Sequence, residues 1–75
     1  MEDFIRVLVT PLVDHPEDLT ITIIEKPYET VYQLSVHTED MGKIIGKQGR
    51  VAKSLRSVVQ SAAVRKKQKV YLEIR

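Results

Sequence analysis

Cysteine is absent from this 75-residue chain, and aromatic residues are few: Phe4, Tyr28, Tyr32 and Tyr71, with no tryptophan. Without cysteine there is no disulfide framework, no thiol nucleophile and no zinc–thiolate site. A reducing cytoplasm is the compartment that fits this usage. So few aromatics do not equip a sheet-platform or barrel reader that stacks several bases, as RRM modules and OB-folds do. No run approaches the ~20 apolar residues of a membrane span. The N-terminus lacks a basic segment ahead of an apolar run, so it does not read as a signal peptide. Glycine numbers three, and two of these, Gly46 and Gly49, stand three apart.

What is present is a polarised charge. Residues 1–40 hold Arg6 and Lys26 against nine acids, a balance of −7, whereas residues 41–75 hold ten Lys or Arg against Glu73 alone, a balance of +9. The overall +2 conceals this split. A chain divided in this way suggests a polyanionic partner for its C-terminal half, the alternative being a basic helix face that only aids solubility. The length predicts a single small domain over residues 1–75, near the lower limit for unaided folding, burying about 60% of its unfolded surface. No repeat, low-complexity segment or internal linker is evident.

The apolar pattern predicts six elements. Phe4, Ile5, Leu8 and Leu12, with Val7, Val9 and Val13, form a first helix, broken or kinked near Pro11, which lacks an amide donor. Asp14-His15-Pro16 ends it. Leu19 to Ile23 alternates as a half-buried strand, Glu25 to Thr30 is a hairpin loop, and Tyr32 to His37 alternates again. Thr38 is expected to cap a short helix running through Met41, Lys43, Ile44 and Ile45, with Glu39 and Asp40 at its positive end. From Arg50 a longer helix carries Val51, Leu55, Val58, Val59, Ala62 and Ala63 as an apolar stripe, with Arg50, Lys53, Ser57 and Gln60 opposite. Arg65 to Lys69 is a basic connector, and Val70, Leu72 and Ile74 alternate as a closing strand. The order α-β-β-α-α-β predicts an α+β sandwich, a three-stranded sheet covered on one face by helices.

The glycine pair lies between the two central helices, in Ile44-Ile45-Gly46-Lys47-Gln48-Gly49-Arg50. Glycine tolerates positive φ and lets another backbone approach closely. The amides opening the next helix favour an anion. A G-x-x-G loop clamping a few backbone nucleotides is the device of KH modules, although a tight turn between helices also uses such glycines.

With these elements in order, the chain resembles a type II KH domain, and more narrowly the KhpA family of small stand-alone bacterial KH proteins. The resemblance covers essentially the whole chain. Its most specific part is Glu39-Asp40-Met41-Gly42-Lys43-Ile44-Ile45-Gly46-Lys47-Gln48-Gly49-Arg50-Val51-Ala52-Lys53; Pro11 in the first helix is a local departure. The resemblance implies a non-catalytic RNA-binding protein, an RNA chaperone or post-transcriptional regulator, with its groove between the glycine loop, the flanking helices and the second strand. It also implies self-association as a homodimer, or pairing with a KhpB (Jag) protein that carries its own KH domain.

Each site residue has a distinct expected role. Gly46 and Gly49 allow backbone approach at the phosphates of single-stranded RNA, Lys47 adds charge and Gln48 a hydrogen-bond donor. Arg50 and Lys53 follow on the exposed side of the next helix, and Lys43 flanks the groove one turn before the loop. Ile45, with Ile44, Leu34 and Val36, is a candidate for an aliphatic groove floor or the core behind it. The lysines of the connector read as solubilising.

Enzyme readings lack their parts. His15 and His37 are far apart in sequence and in no ligand-spaced cluster, so no metal or other cofactor is expected. Gly42 to Lys47 falls one residue short of P-loop glycine spacing, with no Ser or Thr after Lys47 to hold magnesium. The G-x-G start of a dinucleotide fingerprint is missing. Two non-catalytic alternatives stay open: a helix-turn-helix DNA reader using the helix from Arg50, and a protein-interaction module with a vestigial groove.

Overall fold

The structure, a computed structural model, describes residues 1–75. Its elements are α1 (Glu2–Val9), β1 (Thr20–Glu25), β2 (Thr30–Ser35), α2 (Thr38–Ile45), α3 (Arg50–Arg65) and β3 (Val70–Ile74), in the expected α-β-β-α-α-β order. α1 buries Ile5 and Val9, one turn apart, and carries Glu2 and Asp3 at its positive end. The expected break at Pro11 takes the form of a 3₁₀ turn over Thr10–Leu12. A second 3₁₀ turn, Pro16–Asp18, redirects the chain into β1.

The sheet has the order β1-β2-β3. β1 and β2 form an antiparallel hairpin with Ile21 opposite Leu34 and Ile23 opposite Tyr32. β2 and β3 run parallel, with Tyr32 opposite Leu72, because the α2–α3 pair makes the crossover that a parallel connection requires. The second strand begins two residues earlier than its alternation suggests and ends at Ser35. On the helix-covered face Tyr32, Leu34, Val70 and Leu72 are buried in one core with Ile5, Val9, Ile44, Leu55 and Val59. That cover thins towards β1: Ile21 is half-buried and Ile23 is 44% exposed.

The inward row of α3 is Ala52, Leu55, Val59 and Ala63. This corrects the expected stripe by part of a turn. Val58 is 43% exposed, while Ala52, absent from that stripe, is buried. Gln60 does not simply face solvent either. Its Nε2 donates to the Val70 carbonyl, and one turn earlier Arg56 Nε donates to the Leu72 carbonyl at 3.2 Å. Both carbonyls point away from β2, since the intervening alternation aims the Lys69 carbonyl at Thr30 of β2. α3 ends in a Schellman arrangement, with the Gln68 N–H donating to Ala63 at 2.8 Å and the Lys67 N–H to Val64 at 3.0 Å. Lys67 holds the left-handed position, φ +56°, that glycine usually fills.

Candidate nucleic-acid interface

The platform for the glycine loop is α2, fixed at its start by two polar devices. His37, not Thr38, is the N-cap: its Nδ1 accepts the Glu39 N–H at 3.0 Å. One turn on, the fully buried Asp40 accepts the backbone N–H groups of Asp14 at 3.1 Å and His15 at 2.9 Å. Burial alone would raise the Asp40 pKa, but those two N–H donors, with His15 and Lys43 nearby, hold it below the ordinary carboxylate value. The connector before β1 is thereby tied to α2. Lys43 joins the same tie by pairing with Asp14; its pKa is raised chiefly by the hydrogen bond to Asp14. The charge expected to flank the groove is therefore already engaged.

At the other end α2 passes into the G-x-x-G loop. The Gly46 N–H closes the helix on Gly42 at 2.8 Å, and Gly46 then takes φ +75°, ψ 178°. Only glycine serves there, because a Cβ would stand 2.7 Å from Val51 Cβ and 2.9 Å from the Val51 amide nitrogen. Gln48 (φ +56°) and Gly49 (φ +74°) follow in left-handed conformations, and the Gly49 N–H returns to the Gly46 carbonyl at 3.2 Å. In contrast to Gly46, a Cβ on Gly49 would meet open space. Nothing within the chain occupies the surface over Gly49, so another backbone can come close.

Lys47, Gln48 and Arg50 are exposed, and none of the ion pairs uses Lys47, Arg50 or Lys53. Arg50, Lys53, Ser54, Ser57 and Val58 line a shallow surface depression of about 520 Å³ on α3. The loop and the first two turns of α3 thus present cations and hydroxyl groups with no internal partner. Ser54 was legible in the i, i+4 spacing from Arg50 but passes unnoticed beside the charged residues. Among the candidate floor residues, Leu34 and Ile44 are wholly buried and belong to the core, and Val36 is half-buried. Ile45 is exposed at the end of α2, and Ile23 of β1 is the exposed aliphatic that sequence reading missed.

A three-stranded sheet of this topology, backed on one face by helices and carrying a G-x-x-G loop between α2 and α3, defines a type II KH domain. No helix is long and apolar enough to cross a membrane. The family model described as "KhpA/KhpB, KH domain" matches residues 2–74, and the chain belongs to that family. It is 50% identical to the RNA-binding protein KhpA of Listeria monocytogenes over 99% of this chain and 97% of the relative. The KhpA of Bacillus subtilis is 49% identical, over 99% of this chain and 91% of that protein. That of Clostridium perfringens is 42% identical over 99% of both. No solved structure matches.

Proposed function

We propose that this chain is a non-catalytic, cytoplasmic protein that binds single-stranded RNA through its G-x-x-G loop. The observation carrying this reading is the pairing of an unobstructed backbone at Gly49 with the unpaired cations Lys47, Arg50 and Lys53. Phosphates approach Gly46–Gly49, Lys47 neutralises charge there, Gln48 donates a hydrogen bond, and Arg50 and Lys53 follow the strand along α3 with Ser54 and Ser57. Ile45 and Ile23 offer aliphatic surface to the bases. Lys43, held by Asp14, supports the loop's platform more than it meets phosphate. The naming of the relatives as RNA-binding proteins supports the same partner.

A groove that grips a handful of nucleotides has little contact area. Function as an RNA chaperone or post-transcriptional regulator therefore rests on joining grooves, by a homodimer or by a KhpB-type partner, which raises avidity by about 10²–10⁴ when both engage. Light scattering over a concentration series tests the homodimer; a monomer throughout leaves the heteromer.

The decisive experiment replaces Lys47 and Gln48 with Asp. Both side chains are exposed, so folding survives, surface changes costing within ~0.5 kcal/mol. Two anions where phosphates sit abolish binding to a single-stranded RNA. A folded double variant with undiminished affinity sinks the assignment, and preferential binding of duplex DNA by the native chain turns it to a helix-turn-helix reader.

A further inference from the structure

The pattern His-x-Glu-Asp occurs twice, at His15-Pro16-Glu17-Asp18 and at His37-Thr38-Glu39-Asp40, a short repeat that the sequence reading overlooked. Each copy forms the same turn. The Asp18 N–H returns to the His15 carbonyl at 3.0 Å, and the Asp40 N–H to the His37 carbonyl at 2.8 Å. The copies also face each other. Asp40 accepts the His15 N–H, Asp18 Oδ2 lies 3.9 Å from His37 Nε2, and the two imidazoles stack with centroids 4.2 Å apart at 26°.

This arrangement gathers donor atoms that are distant in sequence. One donor atom from each of His15, His37 and Glu39 lies within 4.8 Å of the others. His37 Nδ1 accepts the Glu39 N–H, so the neutral ring has its lone pair on Nδ1 and its proton on Nε2, beside Asp18. A metal ion would take the Nδ1 lone pair in place of the Glu39 N–H, or take Nε2 with that proton displaced and the cap released. Glu17 Oε1 stands 3.4 Å from His15 Nδ1. Drawn into a hydrogen bond, that pair would fix the tautomer of His15 and leave its opposite nitrogen to a metal. Charge points the same way. Asp14, Glu17, Asp18, Glu39 and Asp40 surround the pair, and the only lysine or arginine paired with any of them is Lys43.

We propose that His15, His37 and Glu39 form a binding site for a divalent transition-metal ion of the zinc or nickel class, with Asp18 as a further carboxylate. Two imidazoles with a carboxylate select these ions over magnesium or calcium, which take oxygen ligands. Bond lengths near 2.0–2.2 Å require the donors to draw together by about an ångström, within reach of side chains that are half-buried or exposed. A bound ion would link the turn before β1 to the first residues of α2, reinforcing the tie that Asp40 already makes.

The test is calorimetric titration of the full chain, free of any histidine tag, with Zn²⁺ and with Ni²⁺, and with Mg²⁺ for comparison. One equivalent of Zn²⁺ or Ni²⁺ is expected to bind saturably and to raise the thermal midpoint, with Mg²⁺ far weaker. His37→Asn keeps a side-chain oxygen for the cap but removes the imidazole; it and His15→Gln should each weaken Zn²⁺ at least about tenfold, since even outer partners of metal sites cost ~10–100-fold. Absence of saturable Zn²⁺ and Ni²⁺ binding overturns the proposal. So does Zn²⁺ affinity unchanged in folded His37→Asn, or Mg²⁺ binding as tight as Zn²⁺.

Discussion

The backbone N–H of His15 donates to Asp40 Oδ2 at 2.9 Å, joining residues 25 apart in sequence through a carboxylate that has no contact with solvent. The same side chain takes the Asp14 N–H, so one buried group both orders the turn before β1 and fixes α2 beneath the G-x-x-G loop.

Asp40→Asn should therefore lower stability, because the amide offers one accepting oxygen and turns N–H donors towards N–H donors. The pH dependence follows from the lowered carboxyl pKa. Below the unfolded carboxyl's pKa, near 3.8, the unfolded chain binds a proton that the folded one resists. The stabilisation is thus complete above that value and is lost as pH falls through the lower folded value. Urea unfolding of both proteins at pH 7 and in acid should show a gap that narrows in acid; a constant gap would contradict this account.

The two loop glycines should differ when changed to Ala. Gly46 combines φ +75° with a Cβ position 2.9 Å from the Val51 amide nitrogen. Backbone strain of ~1–3 kcal/mol there adds to the overlap, so Gly46→Ala loses stability steeply. Gly49 has the positive φ without the obstruction, and Gly49→Ala costs only about 1 kcal/mol. Its larger effect falls on RNA affinity, since the methyl occupies the surface open to a phosphate backbone. Denaturation and RNA titration of both variants measure the contrast.

At the other end of α3, Lys67→Gly should stabilise the fold by about 1 kcal/mol, by relieving a left-handed lysine at the helix terminus. A rise in the denaturant midpoint at unchanged slope is the expected reading.

Salt should weaken RNA binding with a slope of about −0.7 per phosphate contact. Arg50→Gln should lower affinity for every single-stranded sequence alike and remove roughly one contact from that slope. An affinity insensitive to salt would point to apolar contacts with the bases instead.

The architecture was legible because its signals are local. Alternation in Leu19–Ile23 and Val70–Ile74, the missing amide of Pro11 and the two glycines flanking Lys47-Gln48 each act within a few residues, and the strands form there, the first as Thr20–Glu25. What escaped depends on partners far along the chain. Thr38 is a good cap by type, but His37 reaches the Glu39 N–H. Val58 fits a helical stripe as well as Ala52 does, and only the direction in which α3 meets β3 decides between them. Leu34 could have been floor or core by its sequence; the fold buries it wholly, in one cluster with Ile5, Ile44 and Val59. Asp40 read as a helix-start acid; its burial and its tie to Asp14 and His15 required the fold.

The donation by Arg56 and Gln60 to the outward carbonyls of β3 makes the two margins of the sheet unequal. A strand margin with unmatched carbonyl and amide groups is a template for another extended chain. Along β3 that template is interrupted at Val70 and Leu72 by side chains from the protein's own helix, whereas no side chain is hydrogen-bonded to β1. The two outer strands of the sheet are therefore not equivalent: the edge of Thr20–Glu25 is the one that no side chain of the protein engages, and it lies beside the exposed Ile23.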